Sequence, residues 1–271
     1  MGDPDTVRSK AVEDLAYLFR SRNRIELLQR VADRPHQRRD LEEVIDASRT
    51  TLGRILAEFE ARGWAERTAD GKFGATMRGK HVAEAVSPPV ETMAAIRHLD
   101  EAVNILPTGE ESISLSHFSD AKLIRSAPNA PPEVGQSHID LLRGASQVYT
   151  LTFIGPPLPV REVAYECVAD GELSAFHVLA GGLVEYIGED EDRVRHWRDY
   201  LKAGARAYEY DGHIPCHLFV ADNTVHIGKP EVEPSGLFIE TTDEAVHRWA
   251  VDLIETYRAD AEPLSADSFG D

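Results

Sequence analysis

An Asp-Gly pair at positions 70 and 71 constrains this chain more than any other feature. Asp-Gly readily adopts the positive backbone angles of a tight hairpin turn. It stands between Trp64–Thr68 and Lys72–Thr76, so a two-stranded ribbon with its tip at Ala69-Asp70-Gly71 is predicted. Three apolar-striped stretches come before it. Asp14–Arg20 reads as a short lead-in helix. After Ser21-Arg22-Asn23, the residues Ile25, Leu27, Leu28 and Val31 recur as one buried helix face, which Arg34-Pro35 ends. Gln37–Ile45 gives a second short helix with Leu41, Val44 and Ile45 apolar, and Asp46-Ala47 turns the chain. Ser48 is then a suitable N-cap for a third helix running to about Arg62, with Gly63 in the place where helices end in a left-handed residue. On that helix Leu52, Ile55, Leu56 and Phe59 share the inward face, and Arg49, Thr50, Gly53, Arg54 and Ala57 fall opposite. A further helix is expected from Thr76 to Val86, closed by Pro88-Pro89.

Helix, helix, turn, helix and ribbon is the order of a winged helix-turn-helix. An α-helix fits the major groove of DNA, where outward residues near its N-terminus reach base edges. Arg49 and Arg54 have the fork that matches guanine, Thr50 suits a thymine methyl group, and Gly53 would let the backbone come close. Arg67, Lys72 and Arg78 lie on or near the wing and suit phosphates. Arg38, Arg39, Ser48 and Thr51 complete the candidate DNA-contacting set. The competing reading is a winged helix used as a protein-docking module, with the same arginines merely solvated.

The net charge of −18 opposes DNA binding only until it is divided. Residues 1–86 carry 16 Lys and Arg against 15 Asp and Glu, whereas residues 87–271 carry 13 against 32. The acidity belongs to the second part. Of the 29 basic residues 23 are Arg and 6 are Lys. A carboxylate-rich, Lys-poor surface resembles that of proteins from extreme halophiles; an acidic protein from a GC-rich genome is the alternative. In concentrated salt the Debye length falls to about 3 Å, so phosphate contacts lose weight against base contacts.

The predicted organisation is α+β / α/β: a winged helix at residues 1–87, a linker helix at 88–107, a mixed-sheet α/β domain at 108–261 and a loose acidic tail at 262–271. In the linker, Val90–Leu106 places Met93, Ile96, Leu99, Val103 and Leu106 on one stripe, the pattern of a helix seam in a dimer. Packing of that stripe on its own second domain is the alternative. Beyond it, strands are predicted at Ser112–Leu115, Lys122–Ile124, Val148–Phe153, Glu172–Leu179, Ala207–Asp211, Ile214–Ala221, Thr224–Gly228 and Gly236–Thr241. Helices are predicted at Gln136–Arg143, Val160–Asp170, Asp190–Ala203 and Asp243–Ala259, and the three prolines of Ser126–Val134 exclude regular structure there.

Two groups of residues bear on chemistry. His213, Cys216 and His217 lie close together, but Pro215 interrupts them and no fourth ligand has a standard spacing, so no metal is expected. If Ala221 pairs with Thr224, then Leu218, Val220, Val225 and Ile227 share one face, and His217, Phe219, His226 and Gly228 the other. The second face, with Arg161, Tyr208 and Tyr210 as companions, is the candidate pocket for a small effector; hydrogen-bonded histidines in a packed sheet are the competing reading. P-loop, GxSxG, HExxH and GxGxxG patterns do not occur, so no cofactor and no catalysis are expected.

Several runs resemble a known family. Arg20-Ser21-Arg22-Asn23-Arg24-Ile25-Glu26-Leu27-Leu28, Ser48–Leu56 and Glu60-Ala61-Arg62-Gly63-Trp64 are similar to archaeal winged-helix regulators, particularly the methanogenesis-regulator-like proteins of haloarchaea. The likeness extends to Leu106-Pro107, Leu141–Ala145 and the helix after Thr242-Asp243. It implies a transcription factor that binds double-stranded DNA. The hairpin ending at Asp222 and Ile227-Gly228 further resembles the HxKxxxxD hairpin of phospholipase D-like domains, a fold also resembled by sugar-sensing, TrmB-like archaeal regulators. Counted back from Asp222, the His and Lys places hold Pro215 and His217, so covalent catalysis would lack its nucleophile. A cytoplasmic, homodimeric regulator is expected; the rival is a docking module fused to a small-molecule-binding or phospholipase D-like enzyme domain.

Overall fold

The computed structural model describes residues 3–125, 133–228 and 237–269. It divides into two compact units between Glu91 and Thr92.

The first unit opens with α1 (Pro4–Phe19), longer than the predicted lead-in. Helices α2 (Arg22–Asp33), α3 (Arg38–Val44) and α4 (Arg49–Ala61) follow in the predicted order. Ser48 caps α4 by accepting a hydrogen bond from the Thr51 amide at 3.2 Å, while the Ser21 side chain makes no such cap on α2. Gly63 has φ +68° and turns the chain out of α4. The ribbon is β1 (Ala65–Arg67) antiparallel to β2 (Phe73–Ala75), with Ala65 opposite Ala75. Phe73 also exchanges two 2.9 Å backbone hydrogen bonds with His36, which ties the ribbon to the start of the helix-turn-helix. Leu27, Leu41, Leu52, Ile55, Phe59 and Trp64 form the core. Val44, expected inside, is 45% exposed.

Two sequence expectations fail at the next helix. α5 (Met77–Leu99) runs straight through Pro88 and Pro89 instead of stopping there. The two prolines cannot donate to Glu84 and Ala85, but both of those residues are exposed, so water can satisfy the freed carbonyls. Ser87 adds a hydrogen bond from its hydroxyl to the Ala83 carbonyl at 3.1 Å. The helix then ends at Leu99, before a 3-10 turn over Asp100–Ile105. Leu99 and Leu106 are buried in the second unit's own core, with Val103 packed on it, while Met93 is 53% exposed. The stripe is therefore consumed largely within its own domain.

The second unit is built on an eight-stranded mixed sheet of order β10-β6-β5-β4-β7-β8-β9-β3. Its strands are β3 (Lys122–Arg125), β4 (Gln147–Thr152), β5 (Ser174–Ala180), β6 (Arg206–Tyr210), β7 (His217–Ala221), β8 (Thr224–Gly228), β9 (Leu237–Thr241) and β10 (Glu262–Leu264). β4, β5 and β6 are parallel; the remaining pairings are antiparallel. Helices α6 (Glu133–Gly144), α7 (Leu158–Ala169), α8 (Gly181–Gly188) and α9 (Glu191–Ala203) contribute to the core on one face of the sheet. α10 (Glu244–Ala259) packs on the other, capped by Asp243, whose carboxylate accepts from the Ala245 and Val246 amides. Ala221 does pair with Thr224, and the hairpin faces divide as the alternation requires: Leu218, Val220, Val225 and Ile227 lie in the α10-side core, Phe219 in the other.

Three further expectations are corrected. Ser112–Leu115 is no strand; short 3-10 turns flank it, and Ile113 and Leu115 pack on the core without a partner strand. Residues 262–271 are not simply a loose tail, because β10 pairs with β6 and Phe269, 3% exposed, stacks on Trp197. α8 was hidden by its opening Gly181-Gly182 and its length of eight residues. Most of the proline-rich segment Ser126–Val134 and the first residue of Gly236–Thr241 lie outside the described residues. Among the described residues no helix is long and apolar enough to cross a membrane.

Candidate functional site

In the first unit, α4 presents the candidate DNA-contacting face. Its buried residues fix which side turns inward, so Arg49, Thr50 and Arg54 are left exposed on the other. Arg38 acts within the fold: its Nη2 donates to the Arg49 carbonyl at 2.9 Å and its Nε to Glu42 at 3.1 Å. A Cβ on Gly53 would stand 3.0 Å from Arg38 Nη2. The guanidinium of Arg38 thus lies close over Gly53. Glu42 also pairs with Arg49 at 3.1 Å, Arg39 with Asp40 at 3.2 Å, and Ser48 shares a 2.9 Å hydroxyl contact with Thr51. On the wing, Arg67 pairs with Glu60 and lies over the Phe73 ring, and Lys72 pairs with Asp70 at 2.6 Å. Exposed pairs of this kind contribute at most about 1 kcal/mol and open readily for a phosphate. Arg78 is exposed near Gly63. Arg54 is exposed and has no ion pair among the described residues.

In the second unit, a chamber of about 320 Å³ lies on the α6–α9 side of the sheet, around the carboxyl ends of the parallel strands β4 and β5. Open α/β sheets bind ligands in that position, and the volume falls within the range of small-molecule pockets. The floor is Thr150 and Thr152 on β4, His177 and Leu179 on β5, and His217 and Phe219 on β7. The walls come from His138 on α6, Val160, Arg161 and Ala164 on α7, and His196, Trp197 and Tyr200 on α9. The turn Ile154–Pro157 borders it. A second, open cavity shares Gly155, Pro156, Arg161, Leu183, His196 and Trp197 with the chamber, and adds Asp190, Asp192, Arg193, Arg195 and Asp199.

Two of the chamber's histidines, His177 and His217, are held by hydrogen bonds. His177 Nδ1 is 2.8 Å from the Thr150 hydroxyl and its Nε2 3.0 Å from Tyr200. His217 Nδ1 is 2.9 Å from Thr152, whose hydroxyl donates to the Ile154 carbonyl at 2.8 Å. The ring therefore supplies the hydrogen to Thr152, and Nε2 is left as the acceptor. Burial pulls His177 and His217 down to about 4, aided in His217 by nearby His226. It holds His138 well below its ordinary value, with His226 and His217 adding to the effect. His196 is lowered by burial and by the charge of Arg161. His138 stacks on Phe219 with ring centroids 4.2 Å apart. Its Nε2 is buried with no hydrogen-bond partner among the described residues, and so is Arg161 Nε.

Of the candidate effector residues, Arg161, His217 and Phe219 line this chamber. His226 stands just behind it, 5.0 Å from the His138 ring, with Nε2 donating to Glu240 at 3.0 Å. Tyr208 and Tyr210 are on the other face of the sheet: Tyr208 stacks near Phe176, and Tyr210 meets Tyr257 of α10. The alternation of β6 puts Ala207, not the tyrosines, on the chamber side. His138, Thr150, Thr152, His177, His196 and Tyr200 were not picked out from the sequence. The alternation Val148, Thr150, Thr152 marked one face of β4, but nothing local marks β7, some seventy residues later, as its neighbour.

Cys216 and His217 point to opposite faces, Cys216 into the α10-side core, and His213 is exposed. Among the described residues no group of His, Cys, Asp or Glu is arranged to hold a metal ion. Asp222 accepts from the Ser146 and Gln147 amides at 3.0–3.1 Å, fixing the start of β4.

Comparison with known proteins gives two family matches. Residues 12–98 match the HVO_A0261 N-terminal domain, and residues 128–260 match the middle domain of the methanogenesis regulatory protein FilR1. No curated protein matches the sequence. Among solved structures, an archaeal chromatin protein, TrmBL2, described as showing a novel mode of DNA binding, aligns at 14% identity and TM-score 0.43 over 85% of this chain and 88% of its own. The phospholipase D family member Nuc from Salmonella typhimurium aligns at 8% identity and TM-score 0.42, over 54% of this chain and 99% of its own. NucT from Helicobacter pylori aligns at 10% identity and TM-score 0.40 with the same coverage.

Proposed function

We propose that this chain, which joins an HVO_A0261 N-terminal domain to a FilR1 middle domain, is a DNA-binding transcriptional regulator that reads sequence with α4 and senses a small effector with its second unit. The observation that carries the DNA reading is the exposed N-terminal face of α4, where a capped start presents Arg49, Thr50 and an Arg54 with no ion pair among the described residues. The match of residues 128–260 to the middle domain of a methanogenesis regulatory protein supports it. Arg54 takes the base-reading role, Arg49 exchanges Glu42 for DNA, and Arg67 and Lys72 meet phosphates from the wing. Arg38 positions α4 from behind. A homodimer is part of the proposal, since paired winged helices read paired half-sites. The linker stripe offers little free surface for it, whereas Val7, Val12, Leu15 and Phe19 on α1 are 44–62% exposed.

The test is selection of binding sites from randomised duplex DNA by the full chain and by Arg54→Ala. The parent should enrich one motif with two-fold symmetry, and the variant should lose about 1–3 kcal/mol of preference at one base. A parent that enriches no motif in any salt concentration tried, or a variant with an unchanged motif, would refute the assignment.

A further inference from the structure

The chamber's chemistry is at odds with the rest of its domain. Residues 87–271 carry 32 acidic side chains against 13 basic ones, yet among the described residues the chamber is lined by no Asp or Glu. Among the described residues its one permanent charge is Arg161, at the first turn of α7, beside the Pro156-Pro157 turn. Arg161 lines the open outer cavity as well, so its guanidinium stands where the two spaces join. Inside, Leu142, Val148, Val160, Leu179, Trp197 and Phe219 make the walls predominantly apolar. The four histidines add polarity without charge, because burial keeps them neutral near pH 7.

Two buried atoms in this wall have no partner among the described residues, Arg161 Nε and His138 Nε2. Buried polar atoms are rarely left so, and each such vacancy asks for a partner from outside the chain. The charged groups facing Arg161 from the outer cavity are Asp190, Asp192, Asp199, Arg193 and Arg195. Asp190 caps α9, accepting from the Arg193 amide at 2.9 Å; that bond holds its carboxyl below the usual value, with the charges of Arg193 and Arg161 adding to it, so a ligand carboxylate would share Arg161 with it. Asp192 pairs with Arg195 at 2.9 Å.

We propose that this chamber binds an amphipathic monocarboxylate, an aryl or medium-chain acid, with its apolar body among the chamber walls and its carboxylate on Arg161 at the junction with the outer cavity. A hydroxyl or carbonyl on the body would complete His138. The proposal deepens the sensor part of the reading above, but the binding itself is independent of DNA and is measured on the protein alone. Failure here leaves the α4 assignment standing, and failure of motif selection leaves the chamber standing.

The experiment is calorimetric titration of the full chain with octanoate, 4-phenylbutyrate and 1-naphthoate, each beside its neutral primary amide. At least one acid should bind, and at least about tenfold more tightly than its amide, the weight of a charge-assisted hydrogen bond. Arg161→Gln should bring acid and amide to within about threefold, chiefly by weakening the acid. Ala164→Phe, which fills the chamber, should weaken acid and amide alike by at least about tenfold; should that variant fail to fold, the smaller Ala164→Leu serves, and should weaken both by at least about threefold. Binding of none of the three acids would mean the chamber holds water only and would overturn the proposal. Equal binding of acid and amide, or an undiminished acid preference in Arg161→Gln, would overturn the anionic head.

Discussion

Acidification should unfold the second unit well above the carboxylate range. His217 is buried and His177 partly so, and both are held at about 4 against an ordinary 6.5, chiefly by burial. His138 is shifted in the same direction. In the unfolded chain each ring takes up a proton as pH falls through about 6.5, while in the folded state it stays neutral. The unfolded state then binds more protons, so stability declines as pH drops, at up to about 1.4 kcal/mol per pH unit for each ring. The loss ends only near pH 4, where the folded rings themselves protonate. Integrated over that window, His177 and His217 together withdraw on the order of 6 kcal/mol, comparable with the whole stability of an ordinary domain, about 5–15 kcal/mol. Glu240 contributes with the same sign but later: its burial is outweighed by bonds from Lys122 and His226, which hold it below the usual carboxylate value. Urea denaturation between about pH 7 and 4.5, followed by the fluorescence of Trp197 and Trp249, measures the slope. His177→Gln and His217→Gln should each reduce it by about one proton. A flat stability between about pH 6.5 and 4.5, or variants with the parent's slope, would refute the reading of these rings as buried and neutral.

Three smaller perturbations follow from the same packing. His138→Leu removes a buried, unpartnered nitrogen and should stabilise the second unit by about 1–3 kcal/mol in thermal unfolding; destabilisation would mean that Nε2 has a partner. Gly79→Ala would drive a Cβ to 1.8 Å from the Trp64 carbonyl oxygen, so the first unit should lose about 1–3 kcal/mol or more, read from Trp64 fluorescence on heating. An unchanged melting temperature would show that α5 can move away from β1. Ser48→Ala removes the α4 cap and should cost about 1 kcal/mol, with DNA affinity falling through disorder of the helix start. Ser48→Asp, which also caps, should restore stability and weaken DNA binding by repulsion, and equal DNA affinity for parent and Ser48→Asp would place Ser48 away from the phosphates.

Much of the first unit was legible because its signals are local. Ser48 caps within its own helix, Asp70-Gly71 turns within its own ribbon, and the Leu52, Ile55, Leu56 and Phe59 spacing fixes which face of α4 is left for a partner. The Ala221–Thr224 pairing is equally local, so the two faces of that hairpin could be assigned in advance. What misled was also local: Pro88-Pro89 carries a strong stop signal, overridden because the freed carbonyls face solvent.

The chamber was only partly visible because its residues are distant in sequence. Arg161, His217 and Phe219 stood out by residue type, but the strand order that sets β4 between β5 and β7 is decided by packing across the whole sheet. The same order sent Tyr208 and Tyr210 to the α10 face and brought His138, His177 and Tyr200 in from three other elements. Docking of Phe269 on Trp197, far along the chain, likewise follows from an apolar surface that exists only once α9 is in place. The sequence by itself determined the elements, their capping and their amphipathic faces, since these depend on neighbours within a turn or two. Only the tertiary structure decided which faces meet, and therefore which buried polar atoms are left without a partner and where a ligand can complete them.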